Sequence, residues 1–106
     1  MPMFHPETPA EWEDVLANAG DKLVVCDYNA PWCPPCQMMR PVFHSLPESY
    51  PDIIFVDCDV DKLADLDEVD SIEGVPTFRL YKSGEQVGEF SGTSEEKLRA
   101  VIDEHI

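Results

Sequence analysis

Two cysteines, Cys33 and Cys36, are separated by two prolines in the stretch from Ala30 to Cys36. Two thiols at this spacing can close a small disulfide ring or supply two ligands to a metal ion. Disulfide exchange needs a thiolate that attacks a target disulfide and a second thiol that resolves the mixed disulfide. The spacing therefore indicates dithiol–disulfide exchange as the first chemistry to consider, with metal binding as the alternative.

The metal alternative finds little support elsewhere in the sequence. Zinc normally takes four ligands, and the chain has no second Cys-x-x-Cys and no His-x-x-His pair. Cys26, Cys58 and His44 are scattered along the chain. We therefore expect no metal site, and we expect Cys26 and Cys58 to be inert buried thiols that pack as small hydrophobic side chains.

The residues on either side of the cysteine pair predict a strand followed by a helix. Residues 23–29 are mostly β-formers with apolar side chains in both alternating sets, which is typical of a central strand covered on two faces. Residues 33–47 carry apolar side chains at helical spacing. Cys33 is thus expected at a helix N-terminus, where the helix dipole favours a thiolate and one helical turn brings Cys36 alongside.

A single carboxylate, Asp27, interrupts the predicted strand. Buried carboxylates are rare and costly unless they are paired or protonated. One interpretation is a carboxylate satisfied by neighbouring polar groups, and the other is a desolvated proton acceptor close to Cys36. We favour the proton acceptor because the cysteine pair follows so closely in the sequence.

The remaining segments predict an α/β architecture without repeats or linkers. The element order is β-α-β-α-β-α-β-β-α, and it begins with a possible short edge strand at residues 3–5. Strands separated by helices are expected to run parallel, and the final hairpin, around residues 78–90, is expected to be antiparallel. The prediction is a single domain over residues 1–106 with a mixed central sheet of about five strands and helices on both faces.

The charge of the chain limits its partners. The net charge is −15, from 22 acidic and 7 basic residues, so we expect no nucleic-acid partner, because phosphate binding needs a basic surface. No run of about 18 apolar residues predicts a membrane span, and residues 1–7 lack the features of a secretory signal, so we expect a cytoplasmic protein. The acidic stretch at residues 57–73 is interpreted either as a solvated surface or as a patch that steers basic partners.

The chain resembles the thioredoxins over essentially its whole length. The matching segments are Val25-Cys26-Asp27-Tyr28, Ala30-Pro31-Trp32-Cys33-Pro34-Pro35-Cys36, Gly74-Val75-Pro76-Thr77, Ser83-Gly84 and Phe90-Ser91-Gly92. The resemblance implies the thioredoxin fold, a central mixed sheet flanked by four helices. It also implies thiol–disulfide oxidoreductase activity in which the Cys33–Cys36 disulfide is the redox centre and no cofactor is needed.

The resemblance further implies a role for individual residues. Cys33 is similar to the attacking cysteine, Cys36 to the resolving one, and Asp27 to the buried aspartate that exchanges a proton with Cys36 through water. Pro76 matches the cis-proline that faces the disulfide and leaves the Val75 backbone free to pair with an extended substrate segment. The implied substrate-binding surface comprises Trp32, Pro34, Pro35, Val75, Pro76 and Gly92.

Three residues depart from the usual pattern of the family. Pro34 stands where most thioredoxins have glycine, and Cys-Pro-Pro-Cys resembles the tryparedoxins, which carry electrons from a low-molecular-weight dithiol. Asn29 replaces a tryptophan that is often present, so we expect looser packing beneath the site. Asp57 occupies a position that is often lysine, which predicts a raised Asp27 pKa, through desolvation first and Asp57 second.

The function predicted from the sequence is reduction of protein disulfides by a cytoplasmic monomer of thioredoxin type. Its expected partners are disulfide-containing target proteins and an electron-donating reductase or small dithiol, with no nucleic acid and no membrane. One alternative is a tryparedoxin-like dithiol carrier fed by a low-molecular-weight thiol. The other is a non-redox binding subunit that uses the surface formed by Trp32, Val75 and Gly92.

Overall fold

The computed structural model of the protein describes residues 3–106, so residues 1 and 2 of the predicted domain lie outside the described part. The elements, in chain order, are α1 (Pro9–Asn18), β1 (Val24–Asn29), α2 (Pro34–Ser49), β2 (Ile54–Asp59), α3 (Asp67–Asp70), β3 (Thr77–Lys82), β4 (Glu85–Ser91) and α4 (Glu95–Glu104). Within residues 3–106, no helix is both long enough and apolar enough to cross a membrane.

The four strands form one mixed sheet in the order β2-β1-β3-β4. Strands β1 and β2 are parallel, whereas β3 is antiparallel to both β1 and β4, so the predicted antiparallel hairpin is confirmed. The prediction that all strands separated by helices run parallel is wrong for β3. The segment between β2 and β3 contains only the four-residue α3, which spans about 6 Å, so no helix there returns along the sheet as the helix of a parallel crossover does.

The predicted edge strand at residues 3–5 is reduced to one bridge. Phe4 pairs in parallel with Val56. Its N–H donates to the carbonyl of Phe55 at 3.1 Å, and its carbonyl accepts from the N–H of Asp57 at 2.8 Å. Pro6 follows and has no N–H to continue the ladder. The sheet therefore has four strands within residues 3–106, one fewer than the five expected.

Helices cover both faces of the sheet, as predicted, which explains why all six residues of β1 are buried. Helices α2 and α4 pack on the first face. The buried side chains of this layer include Val25, Met39, Phe43, Leu46, Phe55, Phe78, Leu80, Leu98 and Ile102. Helix α1 and the segment before α3 pack on the second face. The buried side chains of this layer include Trp12, Val24, Cys26, Tyr28, Val56, Cys58, Leu63, Leu66 and Tyr81. Cys26 and Cys58 are thus buried in the second layer, as expected.

Candidate active site

Cys33 lies at the N-cap of α2, four residues after the last residue of β1. Its Sγ accepts a hydrogen bond from the backbone N–H of Cys36 at 3.3 Å. Pro34 and Pro35 fill the first two helical positions, where the missing N–H groups would have had no partner inside the helix. The Cys36 amide therefore supplies a hydrogen bond to sulfur that Pro34 cannot provide.

The Cys33 thiol also faces the segment that precedes β3. Its S–H donates to the carbonyl oxygen of Val75 across 3.6 Å. The Val75–Pro76 peptide bond is cis. The Thr77 hydroxyl donates to the Gly74 carbonyl at 2.6 Å, which ties this turn to the start of β3. The structure thus brings Cys33, Val75 and Pro76 together, as the resemblance implied.

Two shallow grooves meet beside Cys33. The groove that we call the Gly92 groove is lined by Pro35, Glu73, Gly74, Val75, Pro76, Ser91, Gly92 and Thr93. The groove that we call the Trp32 groove is lined by Trp32, Val60, Val69, Ile72, Glu73, Gly74 and Val75. Trp32 is 65% exposed, and its indole Nε1–H donates to Asp61 Oδ2 at 3.0 Å. These grooves contain every residue of the predicted substrate-binding surface except Pro34, which is exposed on the helix next to them.

The backbone conformation at position 92, in the Gly92 groove, requires a glycine. Its φ of +137° lies in a region that L side chains rarely adopt, and a Cβ there would come within 3.3 Å of Phe90 Cζ. Its N–H donates to the Pro76 carbonyl at 3.4 Å. The glycine therefore keeps β4 close to the cis-proline without placing a side chain at the groove.

Asp27 is almost fully buried in β1, and its Oδ1 has no hydrogen-bond partner within residues 3–106. Burial raises the pKa of Asp27 to about 7, and the neighbouring Asp57 carboxylate adds to the rise. The Asn29 amide and the Arg40 guanidinium oppose this pKa shift without cancelling it. The predicted direction and the predicted order of its two causes are both confirmed.

The second thiol is protected from ionisation. The pKa of Cys36 is raised to about 12, mainly by burial and also by its interactions with Cys33 and the nearby Asp27 carboxylate, while a hydrogen bond involving the Ala30 backbone lowers it. Cys36 is therefore a neutral thiol near pH 7. Any reaction that uses it as a nucleophile needs a base to remove its proton, and Asp27 is a carboxyl close enough to influence its pKa.

Asn29 is hydrogen-bonded at the end of β1, and it also lines a cavity with Pro31, Arg40 and Asp57, so the looser packing expected beneath the site stays a prediction. Its side chain is buried, and its amide donates to Asp57 Oδ1 at 2.6 Å and to the Asp27 carbonyl at 3.2 Å. Hydrogen bonds from Asn29 thus link β1 to β2 at the position of the tryptophan that Asn29 replaces.

A cluster around Asp57 was not anticipated from the sequence. Asp57 Oδ2 lies 3.3 Å from Arg40 Nη1, 3.1 Å from His44 Nε2 and 3.6 Å from His5 Nδ1. Arg40 and His44 are four residues apart on α2, which could have placed them on one helix face. Within residues 3–106, no group of three or more His, Cys, Asp or Glu side chains is arranged to hold a metal ion.

Arg79 was also missed, although a charged residue inside the apolar run of β3 is an unusual signal. Its side chain is buried and pairs with Glu89 Oε2 at 2.7 Å. It donates to the Glu68 carbonyl at 2.8 Å and to the hydroxyl and carbonyl of Ser71 at 2.9 and 3.4 Å. Arg79 therefore anchors α3 and the start of the segment that carries Val75.

Comparison with known proteins identifies the family of the chain. The thioredoxin family model matches residues 3–104. The chain belongs to the thioredoxin family. The thioredoxin of Homo sapiens is 47% identical over 98 residues, covering 92% of this chain and 93% of its own, and that of Oryctolagus cuniculus is 45% identical with the same coverage.

Solved thioredoxin structures share the whole fold. The reduced Schistosoma mansoni thioredoxin pre-protein has a TM-score of 0.93 at 38% identity and covers all of both chains. The Fasciola hepatica thioredoxin has a TM-score of 0.92 at 34% identity and covers 98% of this chain and all of its own. The predicted thioredoxin fold is confirmed.

Membership of the thioredoxin family makes this protein a thiol–disulfide oxidoreductase, and its redox-active cysteines are part of the chain itself. Disulfide-containing targets and a reductase are the partners typical of the family. These relatives favour neither the tryparedoxin-like carrier nor the non-redox binding subunit.

Proposed function

We propose that this thioredoxin reduces disulfides in target proteins, with Cys33 as the attacking cysteine and Cys36 as the resolving one. The observation that carries the proposal is the position of Cys33, which accepts the Cys36 N–H at the N-terminus of α2 while it faces Val75 at the meeting point of two grooves. The Cys36 N–H is directed at the sulfur that reacts with the target.

The reaction comprises two exchanges. The Cys33 thiolate attacks one sulfur of the target disulfide, so that a mixed disulfide forms and the other target sulfur leaves as a thiolate. The Cys36 thiolate then attacks Cys33 Sγ, which forms the Cys33–Cys36 disulfide and releases the second target thiolate. Two electrons pass to the target, and a reductase or a small dithiol restores the two thiols.

Asp27 is the proposed proton acceptor for Cys36. The Cys36 pKa of about 12 requires a base, and the Asp27 pKa of about 7 leaves a substantial fraction of that carboxyl ionised at neutral pH. A base whose pKa is close to the working pH is the most effective one. A water molecule between the two groups would carry the proton, as it is thought to do in the family.

The proposed substrate site is the meeting point of the Trp32 and Gly92 grooves. An extended target segment would pair with the Val75 backbone and place its sulfur at Cys33. Trp32, Pro34 and Pro35 are exposed around the thiols and would supply apolar contacts, while Pro76 and Gly92 shape the floor.

A substitution of Cys36 gives the sharpest test. Cys36→Ser should trap targets as mixed disulfides through Cys33 that a reducing agent releases, because the second exchange cannot occur. Cys33→Ser should trap nothing and should lack turnover. If a folded Cys36→Ser variant trapped no target, the mechanism would be wrong, and retained partner binding by the double serine variant would support the non-redox binding subunit instead.

The electron donor and the direction of the reaction need a separate measurement. The reduction potential of the Cys33–Cys36 pair can be read from Trp32 fluorescence in dithiol–disulfide buffers. A strongly reducing potential supports a reductase, and a potential near that of the glutathione couple supports a carrier. Four further expectations stay predictions: a monomeric state, cytoplasmic localisation, a single domain over residues 1–106 and the lack of any further cofactor. Sedimentation can test the first, cell fractionation the second and mass measurement the last.

A further inference from the structure

Glu73 is the only charged residue among those that line the Trp32 and Gly92 grooves within residues 3–106. We propose that Glu73 makes this thioredoxin select targets that carry a lysine or arginine next to the cysteine that Cys33 attacks. The proposal rests on the proposed function, because it concerns the occupant of the same grooves. It assigns a specificity-determining residue and a chemical class of target.

The position of Glu73 in the chain is close to the backbone group that contacts the reacting sulfur. Glu73 lies two residues before Val75, whose carbonyl oxygen is 3.6 Å from Cys33 Sγ. Residues in an extended segment are spaced by about 3.3 Å. A target segment that presents its sulfur to Cys33 therefore places the side chains one or two residues from that cysteine within reach of Glu73.

The Glu73 carboxylate is available to a partner. It is exposed, and it forms no hydrogen bond and no ion pair with the other residues of the described range. Asp61, in contrast, accepts the Trp32 indole N–H. This unpaired carboxylate can form an ion pair with a cation that the target carries. The apolar side chains of Ile72 and Val75 beside it reduce screening of that ion pair by water.

The wider charge distribution acts in the same direction. The net charge of the chain is −15, and no lysine or arginine lines either groove. Such a field attracts basic segments and repels acidic ones at a distance. Glu73 adds a local contact to this long-range attraction, so its contribution can be separated from the net charge by a matched substitution elsewhere.

The test uses three peptides that differ only at the residues flanking one cysteine. The cysteine is linked through a disulfide to uncharged 2-mercaptoethanol, and the flanking residues are lysine, glutamine or glutamate. At low ionic strength the wild-type protein should reduce the lysine peptide about fivefold faster, in kcat/KM, than the glutamate peptide, as expected for an exposed charge contact. Added salt should weaken this preference.

Three variants decide whether Glu73 is responsible. Glu73→Gln should lower the lysine-over-glutamate ratio to about twofold, and Glu73→Lys should bring the ratio to one or below. Glu48→Lys is the matched control, because it makes the same charge change at an exposed position about 20 Å along α2 from Cys33. It should keep most of the wild-type preference.

Two outcomes would overturn the inference. One is a wild-type protein without preference between the lysine and glutamate peptides. The other is an equal loss of preference in Glu73→Lys and Glu48→Lys, which would assign the selection to net charge alone. Failure of the proposed function would look different, since the wild-type protein would then not reduce even the glutamine peptide.

Discussion

Asp27 and Asp57 are direct partners in the parallel register of β1 and β2, so two buried carboxyl groups face each other beneath the cysteine pair. Their surroundings differ. Asp57 is contacted by the Asn29 amide, Arg40 and His44, whereas Asp27 Oδ1 has no hydrogen-bond partner within residues 3–106. This asymmetry, together with burial, is consistent with a pKa of about 7 for Asp27.

Removal of the Asp27 charge should stabilise the protein at alkaline pH. The pKa of this carboxyl rises from 3.8, its ordinary value, to about 7 in the folded protein. Between these values the folded state binds more protons than the unfolded state, so the free energy of unfolding falls as the pH rises. The full penalty above pH 7 is about 4 kcal/mol.

Thermal unfolding of Asp27→Asn at two pH values tests this linkage. At pH 8 the variant should melt on the order of 20 °C above the wild type, because the amide needs no ionisation. At pH 4, where the wild-type carboxyl is already protonated, the two proteins should melt at similar temperatures. An equal stabilisation at both pH values would contradict the assigned pKa shift.

The same substitution should slow the resolution of the mixed disulfide. Cys36, with a pKa of about 12, loses its proton to Asp27 in the proposed mechanism. Loss of a general base typically costs a factor of about 100 or more, so the mixed disulfide should persist longer in Asp27→Asn. Rapid acid quenching and mass measurement would show its decay.

The formation of that mixed disulfide provides the internal control. Attack by Cys33 does not use the Cys36 proton, so its rate should change much less than the decay rate. In the wild type the decay should accelerate as the pH rises through about 7, following Asp27. Decay in the variant with the wild-type rate and pH profile would remove Asp27 from the mechanism.

Asp57 and Arg40 should shift the Asp27 pKa in opposite directions. Asp57→Asn removes the like charge that raises the pKa of Asp27, so that pKa should fall, while Arg40→Gln removes a cation that lowers it, so that pKa should rise. Carboxyl carbon NMR of Asp27 as a function of pH measures both variants. Shifts of the same sign would show that structural relaxation, and not charge, governs the Asp27 pKa.

Local patterns were enough to predict most of the elements and the reacting groups. The apolar residues of β1 appear in both alternating sets because the strand is covered on two faces, and the Cys33–Cys36 spacing places both thiols at the start of α2. The raised pKa of Asp27 was predictable because its burial follows from the same pattern, while the placement of Asp57 beside it came from the resemblance to the thioredoxins.

Features that depend on distant segments were not predictable from local patterns. The direction of β3 depends on whether residues 60–76 return along the sheet, and their sequence does not show that they stay at one end of it. The cations around Asp57 come from the N-terminal segment and from α2, which meet only in the folded chain. The hydrogen bond from Asn29 to Asp57 was not anticipated because Asp57 lies on another strand.

Arg79 should determine target affinity by holding the segment that carries Val75. Its guanidinium donates to the Glu68 carbonyl and to Ser71, so Arg79→Met removes the anchor of this segment. We expect KM for a protein disulfide to rise several-fold, with a much smaller change for a small uncharged disulfide that does not fill the grooves. The variant should also lose about 3 kcal/mol of stability, because buried hydrogen bonds to a charged group are lost.

The comparison with Arg99→Met separates a positioning role from a purely structural one. Arg99→Met removes the same charge, but Arg99 forms a surface ion pair with Glu95 on α4. The Arg99→Met variant should therefore have an unchanged KM for the protein disulfide. Arg79→Lys should recover part of the affinity, because one ammonium group can reach only some of the four acceptor atoms. A displaced Val75 backbone cannot bind an extended target as tightly, so a positioning role of Arg79 requires a raised KM in Arg79→Met. If Arg79→Met lowered stability but had the same KM as Arg99→Met, Arg79 would stabilise the fold without positioning Val75.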